Sequence, residues 1–317
     1  MDSVDTRPVN ITEITPLNTA LLLTCLIPVV VCSVVGNSLV VFAIYRHHRL
    51  WTPTFFIIAS LAVADFFNGL VGIPLYLYFN LSSATRCESF EELVFTAPLV
   101  AVTSVSIFHI TIVSVDRYIA VTRPLRYATL VTTRRVQVVI VFSWISVGTY
   151  LLTYLYVLHD SKIAVMISIK CPGRYFEDPF LRALHLGTLI NLSIALFTVA
   201  AINVRILHIV FKQSRVIFQA NEAFGRNQEN RELLIKNFKA AQTISIVVFI
   251  YVMCCVPSQI PVGLGLVSDY HQPVLAQVLL ISLGVGSAVN PLIYGYRDRL
   301  FREKLSDLRR RLTALIL

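Results

Sequence analysis

The stretch Leu93–Pro124, LVFTAPLVAVTSVSIFHITIVSVDRYIAVTRP, decides how the rest of the chain is read. Its first 23 residues, Leu93 to Val115, contain no Asp, Glu, Lys or Arg, and Asp116-Arg117-Tyr118 follows at once. At about 1.5 Å of rise per residue, a run of that length crosses a bilayer core of about 30 Å as a single helix. A charged pair at the end of a spanning helix has two readings. It is an interfacial anchor that marks the membrane boundary, or it is a switch in which Asp116 holds Arg117 until a rearrangement releases it. The pair alone favours neither.

Six more uncharged runs lie outward from this one, at 14–45, 66–85, 136–159, 183–204, 240–268 and 270–296. Each is long enough to span, which gives seven helices in one domain. Composition agrees: 56% of the 317 residues are hydrophobic and 14% charged, against about 45–50% and about 25% in soluble proteins. Continuous apolar runs exclude the alternating strands of a barrel, so the backbone is satisfied in lipid as helix. The expected fold is an all-α membrane protein, a seven-transmembrane helix bundle. Its spans are placed at about 18–45, 53–79, 90–122, 134–158, 179–211, 232–266 and 273–296. Residues 1–17 are then an extracellular tail, 18–296 the bundle, and 297–317 a cytoplasmic amphipathic helix with a short tail. In that last segment Leu300, Phe301, Leu305, Leu308 and Leu312 alternate with basic residues, a pattern suited to the anionic inner leaflet.

The net charge of +9 is a topology signal. With the amino terminus outside, the cytoplasmic segments carry 21 Lys/Arg and the extracellular ones 6. That asymmetry fixes the orientation of a multi-pass plasma-membrane protein and removes any need for a nucleic-acid partner. Residues 1–17 are polar with little positive charge and the first apolar run is a full span, so no cleavable signal is read. Asn10 and Asn80 stand in glycosylation sequons on the outer side. Cys25, Cys32, Cys254 and Cys255 fall in spans and read as small packing residues. Cys87 and Cys171 are the two outside, in the oxidising compartment, and are expected to pair. Asp65 is the acid placed within a span, which marks it as a functional candidate.

Several motifs stand together: Gly36-Asn37, Leu61-Ala62-Val63-Ala64-Asp65, Asp116-Arg117-Tyr118, Trp144, Pro257 and Asn290-Pro291 followed by Tyr294. Each falls in its own span and in this order, and the chain resembles a rhodopsin-like (class A) G-protein-coupled receptor over residues 18–312. Residues 116–136 and 287–305 are most similar to adenosine receptors. Ala195 in place of a mid-helix proline, and Glu92, suggest the melanocortin group as well. The resemblance implies a receptor that binds an extracellular small-molecule or peptide ligand and activates a heterotrimeric G protein. Asp116, Arg117, Tyr118 and Tyr294 would serve coupling, and Asp65, Ser106, Ser287 and Asn290 a structural sodium ion; no other cofactor is implied. A protonated Asp65 bonded within the bundle is the simpler account of the same residue.

The resemblance also has departures. Leu99 stands where aminergic receptors keep an Asp, which argues against a monoamine anchored by that ion pair. Val262 and Gly284 replace residues that adenosine receptors use for their ligand. Cys87 is five residues from the usual disulfide position. Asn237 replaces the acid expected to face Arg117, Cys255 replaces a Trp, and Ala195 removes a kink from span five, so high basal activity is expected. The ligand-binding candidates are Leu99, Thr103, Thr188, Asn191, Ser258, Gln259 and Val262, a few polar groups in an apolar cavity. The bland account is that Ser and Thr bond their own helix while Asn and Gln bridge helices. Glu88, Glu91 and Glu92 form a solvated face or receive a basic peptide.

Other classes fit less well. A transporter or channel is expected to show repeats or several buried charges. A retinal protein needs a Lys in mid-span seven, and there is none between Lys239 and Lys304. No nucleophile, base and orienter form a set, so the chain is read as a non-enzyme.

Overall fold

The computed structural model describes residues 16–82, 89–159, 179–223 and 280–291, together with Glu303 and Ser306. Every described element is helical. In chain order they are α1 (Pro16–Val31), α2 (Asn37–Arg46), α3 (Pro53–Phe67), α4 (Ile73–Ser82), α5 (Ser89–Thr122), α6 (Tyr127–Leu130), α7 (Thr133–His159), α8 (Pro179–Ala223) and α9 (Leu280–Pro291). One π-turn, Cys32–Gly36, joins α1 to α2, and another, Asn68–Gly72, joins α3 to α4. Five of the resulting helices are long and apolar enough to span a membrane: Thr19–Arg46, Pro53–Tyr78, Ala97–Thr122, Thr133–Thr153 and Ile190–Ile209. They are referred to below as spans one to five.

The starts of these helices follow from local chemistry. Thr52 caps α3 by accepting from the Phe55 amide, and Pro53 occupies the first turn, where its missing N–H costs nothing. Arg135 Nη1 donates to the Thr129 and Leu130 carbonyls at 2.9 Å each, closing the end of α6 against the start of α7. Spans two and three form the centre, with 56% of their apolar windows buried, against 17% for spans one and four. Ile57, Leu61, Ile107 and Ile110 pack between them and reach Ala195 and Val199 of α8. The outer faces stay apolar, with Phe142 70% and Phe197 76% exposed, as lipid contact requires.

Small residues draw α9 in. A Cβ on Gly36 would lie 3.0 Å from Pro291 Cβ and Cγ, and one on Gly284 would lie 2.7 Å from Val29 Cγ1. Packing rather than hydrophobicity drives helix association in lipid, so such close approaches carry weight. Gly36→Val is therefore expected to cost about 1–3 kcal/mol by overpacking. Gly148→Val, whose Cβ meets nothing within 4 Å, is the control. Thermal unfolding of the two purified variants checks this, and equal midpoints would refute the contact.

Two expectations change. α8 continues to Ala223, whereas the polar stretch from Lys212 reads as loop. Residues 212–223 contain no Gly or Pro, so the helix persists past the membrane once polarity ceases to matter. Cys25 and Cys32 are exposed on the lipid side and do not pack in the core. A π-turn at Asn68–Gly72 interrupts the regular helix of span two just before Ile73. Span six, with Pro257, Cys254 and Cys255, lies outside the described residues, as does the end of span seven. Of residues 297–317, Glu303 and Ser306 are described, and both are helical.

Candidate functional site

A buried polar cluster lies mid-way along span two. Asp65, on α3, is fully buried. Ser106 Oγ of α5 donates to its Oδ1 at 3.0 Å, and Asn290 Nδ2 of α9 donates to its Oδ2 at 2.7 Å. The first π-turn feeds the same cluster, since Ser33 Oγ donates to the Asp65 carbonyl at 2.8 Å. Asn37 Nδ2 donates to the Ser33 and Ser287 carbonyls at 2.8 and 3.2 Å, and Asn68 Nδ2 donates to Ser287 Oγ at 2.9 Å. Asp65, Ser106, Ser287 and Asn290, chosen from sequence as one set, are thus brought together; Ser33, Asn37 and Asn68 were not part of that set. Among the described residues no Lys, Arg or His bonds Asp65. Asp65 is a lone carboxylate that accepts from the Ser106 hydroxyl and the Asn290 amide nitrogen, and its own oxygens with the hydroxyl oxygens of Ser106 and Ser287 are the oxygen donors that suit a hard monovalent cation. No group of three His, Cys, Asp or Glu suited to a transition metal occurs among the described residues.

At the C-terminal end of α5 sits a second constellation. Asp116 is 3% exposed and accepts from three sides. Arg117 Nε reaches its Oδ2 at 2.9 Å and Nη2 at 2.5 Å. Thr54 Oγ1, from the first turn of α3, donates to Oδ2 at 2.8 Å, and Tyr127 Oη, from α6, donates to Oδ1 at 2.6 Å. Arg117 Nη2 also bonds Thr54 Oγ1. Burial first, then the Asp116 charge beside it, holds the Tyr127 phenol above its usual range, so it stays a donor at physiological pH. Tyr118, the third member of the motif, is exposed. Leu125 on the Pro124–Arg126 turn is 98% exposed, between Arg123 and Arg126. Neither Thr54 nor Tyr127 was a sequence candidate. The available signal was a hydroxyl at the start of span two and a tyrosine in an otherwise basic loop.

A third network ties spans two, three and four. His109 Nδ1 lies 2.7 Å from the Val105 carbonyl and so carries the proton, leaving Nε2 to accept from Ser60 Oγ at 2.8 Å. Ser60 in turn accepts from Trp144 Nε1 at 2.9 Å. Every polar atom in that chain is used, which makes it a structural pin.

The outer candidates are less fully placed. Leu99 and Thr103 are buried on α5, while Asn191 is exposed on α8. Thr188 lies in α8 and Asn80 in α4, with side chains outside the described set. Ser258, Gln259, Val262, Tyr294, Asn237, Cys87, Cys171 and Asn10 lie outside the described residues.

The family model described as 7 transmembrane receptor (rhodopsin family) matches residues 36–294, which take in both constellations apart from Ser33. The chain belongs to the rhodopsin family of seven-transmembrane receptors. Its bundle is that family's seven-helix fold, and the family is one of multi-pass plasma-membrane receptors, not enzymes. Among its relatives is Adenosine receptor A2b of Bos taurus, 32% identical over 85% of this chain and 83% of its own length. Trace amine-associated receptor 13c of Danio rerio is 31% identical over 86% of this chain and 81% of its own length. Trace amine-associated receptor 1 of Mus musculus is 27% identical over 87% and 85% respectively. The adenosine-receptor likeness read from residues 116–136 and 287–305 agrees with this, whereas the trace-amine likeness was not legible in those stretches. A transporter or channel is not supported.

Proposed function

We propose that this receptor, oriented with its amino terminus outside, is a ligand-controlled nucleotide-exchange catalyst for a heterotrimeric G protein. The observation that supports it best is the cytoplasmic latch. Arg117 is held by Asp116 and Thr54 from within the membrane edge, and a rearrangement of α3 against α5 would free it. A ligand shifts such a two-state equilibrium only if it binds one arrangement more tightly than the other. Ligand enters from outside and meets Leu99 and Thr103, with Thr188, Asn191, Ser258, Gln259 and Val262 completing the cavity. The names of the relatives speak of amines and adenosine, but Leu99, Val262 and Gly284 depart from the anchors those ligands would need, so the ligand is a small molecule held differently. Tyr294 joins the coupling surface, Cys87 and Cys171 pair outside, and Asn10 and Asn80 carry glycans.

A sodium ion would be held at Asp65 by its carboxylate with the hydroxyl oxygens of Ser106 and Ser287 and the amide of Asn290. It would supply the positive charge that the buried carboxylate lacks. Asp65 and Ser106 bridge α3 and α5, and Asn290 adds α9, so this chain's own residues clamp the helices whose separation opens the latch.

Leu125 gives this reading a direct test. An exposed leucine flanked by Arg123 and Arg126, on a loop held by Tyr127, presents an apolar knob outside the membrane. Such residues anchor protein interfaces. Leu125→Asp is expected to lower G-protein activation about fivefold with folding and membrane insertion intact. Nucleotide exchange on purified heterotrimers, with receptor in lipid nanodiscs, measures it. Failure of the wild type to accelerate exchange on any heterotrimer class, with or without screened ligands, would remove the proposal.

A further inference from the structure

The loop between spans one and two, His47 to Thr52, is short and firmly held. Leu50 is 0% exposed and packs with Val40, Ile44 and Ile58, so it plugs the loop between the two helices. The Leu50, Trp51 and Thr52 amides donate to the His47, His48 and Leu50 carbonyls at 2.8, 3.0 and 2.8 Å. With Leu50 turned in, His48 and Arg49 are turned out, and Arg46 at the end of α2 is exposed as well.

Trp51 sets the depth of this loop. Its Nε1 donates at 3.0 Å to the Ile44 carbonyl, one of the last-turn carbonyls that α2 leaves without an intrahelical partner. The indole is nonetheless 47% exposed, and Tyr45 is 73% exposed. Rings with an apolar body and a polar end sit at the membrane–water boundary. The His48 ring stands edge-on to Trp51, with centroids 4.3 Å apart. Arg46, His48 and Arg49 are therefore presented at the depth of the lipid headgroups.

Their charge is uncompensated. No Asp or Glu occurs from residue 14 to residue 64. Neither Arg46 nor Arg49 has an ion-pair partner among the described residues. Arg117, by contrast, is committed to Asp116, and Arg135 to the Thr129 and Leu130 carbonyls. An excess of basic residues on one side is ordinary for a membrane protein. Two guanidiniums three residues apart, on a loop plugged by Leu50 and flanked by Tyr45 and Trp51, form a shaped site.

We propose that this loop binds the phosphate monoester headgroup of an inner-leaflet phospholipid, held by Arg46 and Arg49 with His48 beside them. This goes beyond the receptor reading and takes from it only the orientation that makes this leaflet the inner one. A guanidinium offers N–H donors in a planar fork that matches phosphate oxygens. A monoester carries about −1.5 to −2 charges at neutral pH, which two arginines answer; the diester of phosphatidylserine offers a single phosphate charge. Basic pockets at this level of a membrane protein suit such headgroups. Phe42 lies four residues before Arg46 on the same helical face and is 45% exposed, so it receives the acyl chain of a lipid whose head reaches Arg46.

Three probes test this on the purified full-length receptor in detergent: phosphatidic acid, phosphatidylserine with the same acyl chains, and soluble glycerol phosphate. Native mass spectrometry reads the bound fraction across a titration of each. Phosphatidic acid is expected to saturate one site and to bind about tenfold more tightly than phosphatidylserine. Arg46→Gln and Arg49→Gln should each weaken it about five- to tenfold. Arg134→Gln, which removes an exposed charge at the start of α7, should change it by less than about twofold. Thermal midpoints without added lipid should match the wild type, because neither guanidinium has a partner to lose. Equal affinity for the two lipids, or an Arg134→Gln loss as large as the other two, would mean diffuse charge attraction and overturn the proposal. Glycerol phosphate binding as tightly as phosphatidic acid would make this a site for a free phosphate and overturn it too. So would a large fall in the midpoint of Arg46→Gln or Arg49→Gln. Orientation is read separately, by surface labelling of the amino terminus on intact cells.

Discussion

Arg117→Ala is expected to reach the plasma membrane, bind ligand and lose G-protein activation. The guanidinium presents five N–H donors in a fixed fork. Nε and Nη2 are committed to Asp116 and Thr54, and Nη1 is uncommitted among the described residues. Alanine cannot supply this group to a partner in the open state, so the loss falls on exchange and not on ligand affinity. A stability cost accompanies it. Removing one member of a buried pair costs about 3–5 kcal/mol when nothing replaces it. Here Thr54 and Tyr127 still donate to Asp116, so about 1–3 kcal/mol is expected. Surface labelling, ligand-free thermal unfolding and nucleotide exchange separate the two effects. Unchanged exchange would leave Arg117 as an interfacial anchor that marks the membrane boundary.

The spans were legible because lipid imposes a severe condition on sequence. A helix that offers its backbone no water must be uncharged for its whole crossing, so the runs at 14–45 or 93–115 declare themselves one residue type at a time. The inner end of span five did not, because no such condition applies once the helix leaves the bilayer, and α8 simply continues to Ala223. Asp65 was conspicuous as an acid within a span, and its partners Ser106 and Asn290 came from the family pattern. Asn68 was not conspicuous. Its role depends on a π-turn that rotates it toward Ser287, and a π-turn leaves no mark in composition. His109 illustrates the same limit. A histidine in mid-span invites a functional reading, yet its two nitrogens are consumed by Val105 and Ser60. Thr54 and Tyr127 escaped for another reason: they contact Asp116 across 62 and 11 residues of sequence, and contacts between separate elements are the part of a fold that periodicity does not carry.

Those two residues also bear on basal activity. Asn237, Cys255 and Ala195 together led to an expectation of a receptor active without ligand, since Asn237 gives Arg117 no acid from span six. The latch holds Arg117 through Asp116 and Thr54 of span two, with Tyr127 of α6 bracing Asp116. The decisive substitution is therefore Asp116→Asn. An amide oxygen at the Oδ1 position still accepts from Tyr127, but an amide nitrogen at the Oδ2 position faces the Thr54 hydroxyl and two N–H groups of Arg117. Donors then oppose donors, and the charge that held the guanidinium is gone. Flipping the amide returns an acceptor to Arg117 and Thr54 but turns its N–H groups on the Tyr127 hydroxyl, and in neither orientation is there a charge to hold the guanidinium, so the latch is weakened. Hydrogen bonds to charged groups contribute about 1.5–3 kcal/mol, so losing this one is expected to raise ligand-free nucleotide exchange about tenfold or more. Tyr127→Phe, which removes one neutral donor and leaves the ion pair, should raise it by about a factor of three to five. Asn237→Glu should act in the opposite sense and more weakly, because a surface pair of that kind is worth about 0.2–1 kcal/mol. Exchange per receptor, measured without ligand across the four proteins, orders them as Asp116→Asn, Tyr127→Phe, wild type, Asn237→Glu. If Asp116→Asn and Tyr127→Phe match the wild type while Asn237→Glu falls well below it, Arg117 is governed from span six and the latch at α3 and α6 has no part in restraining the receptor.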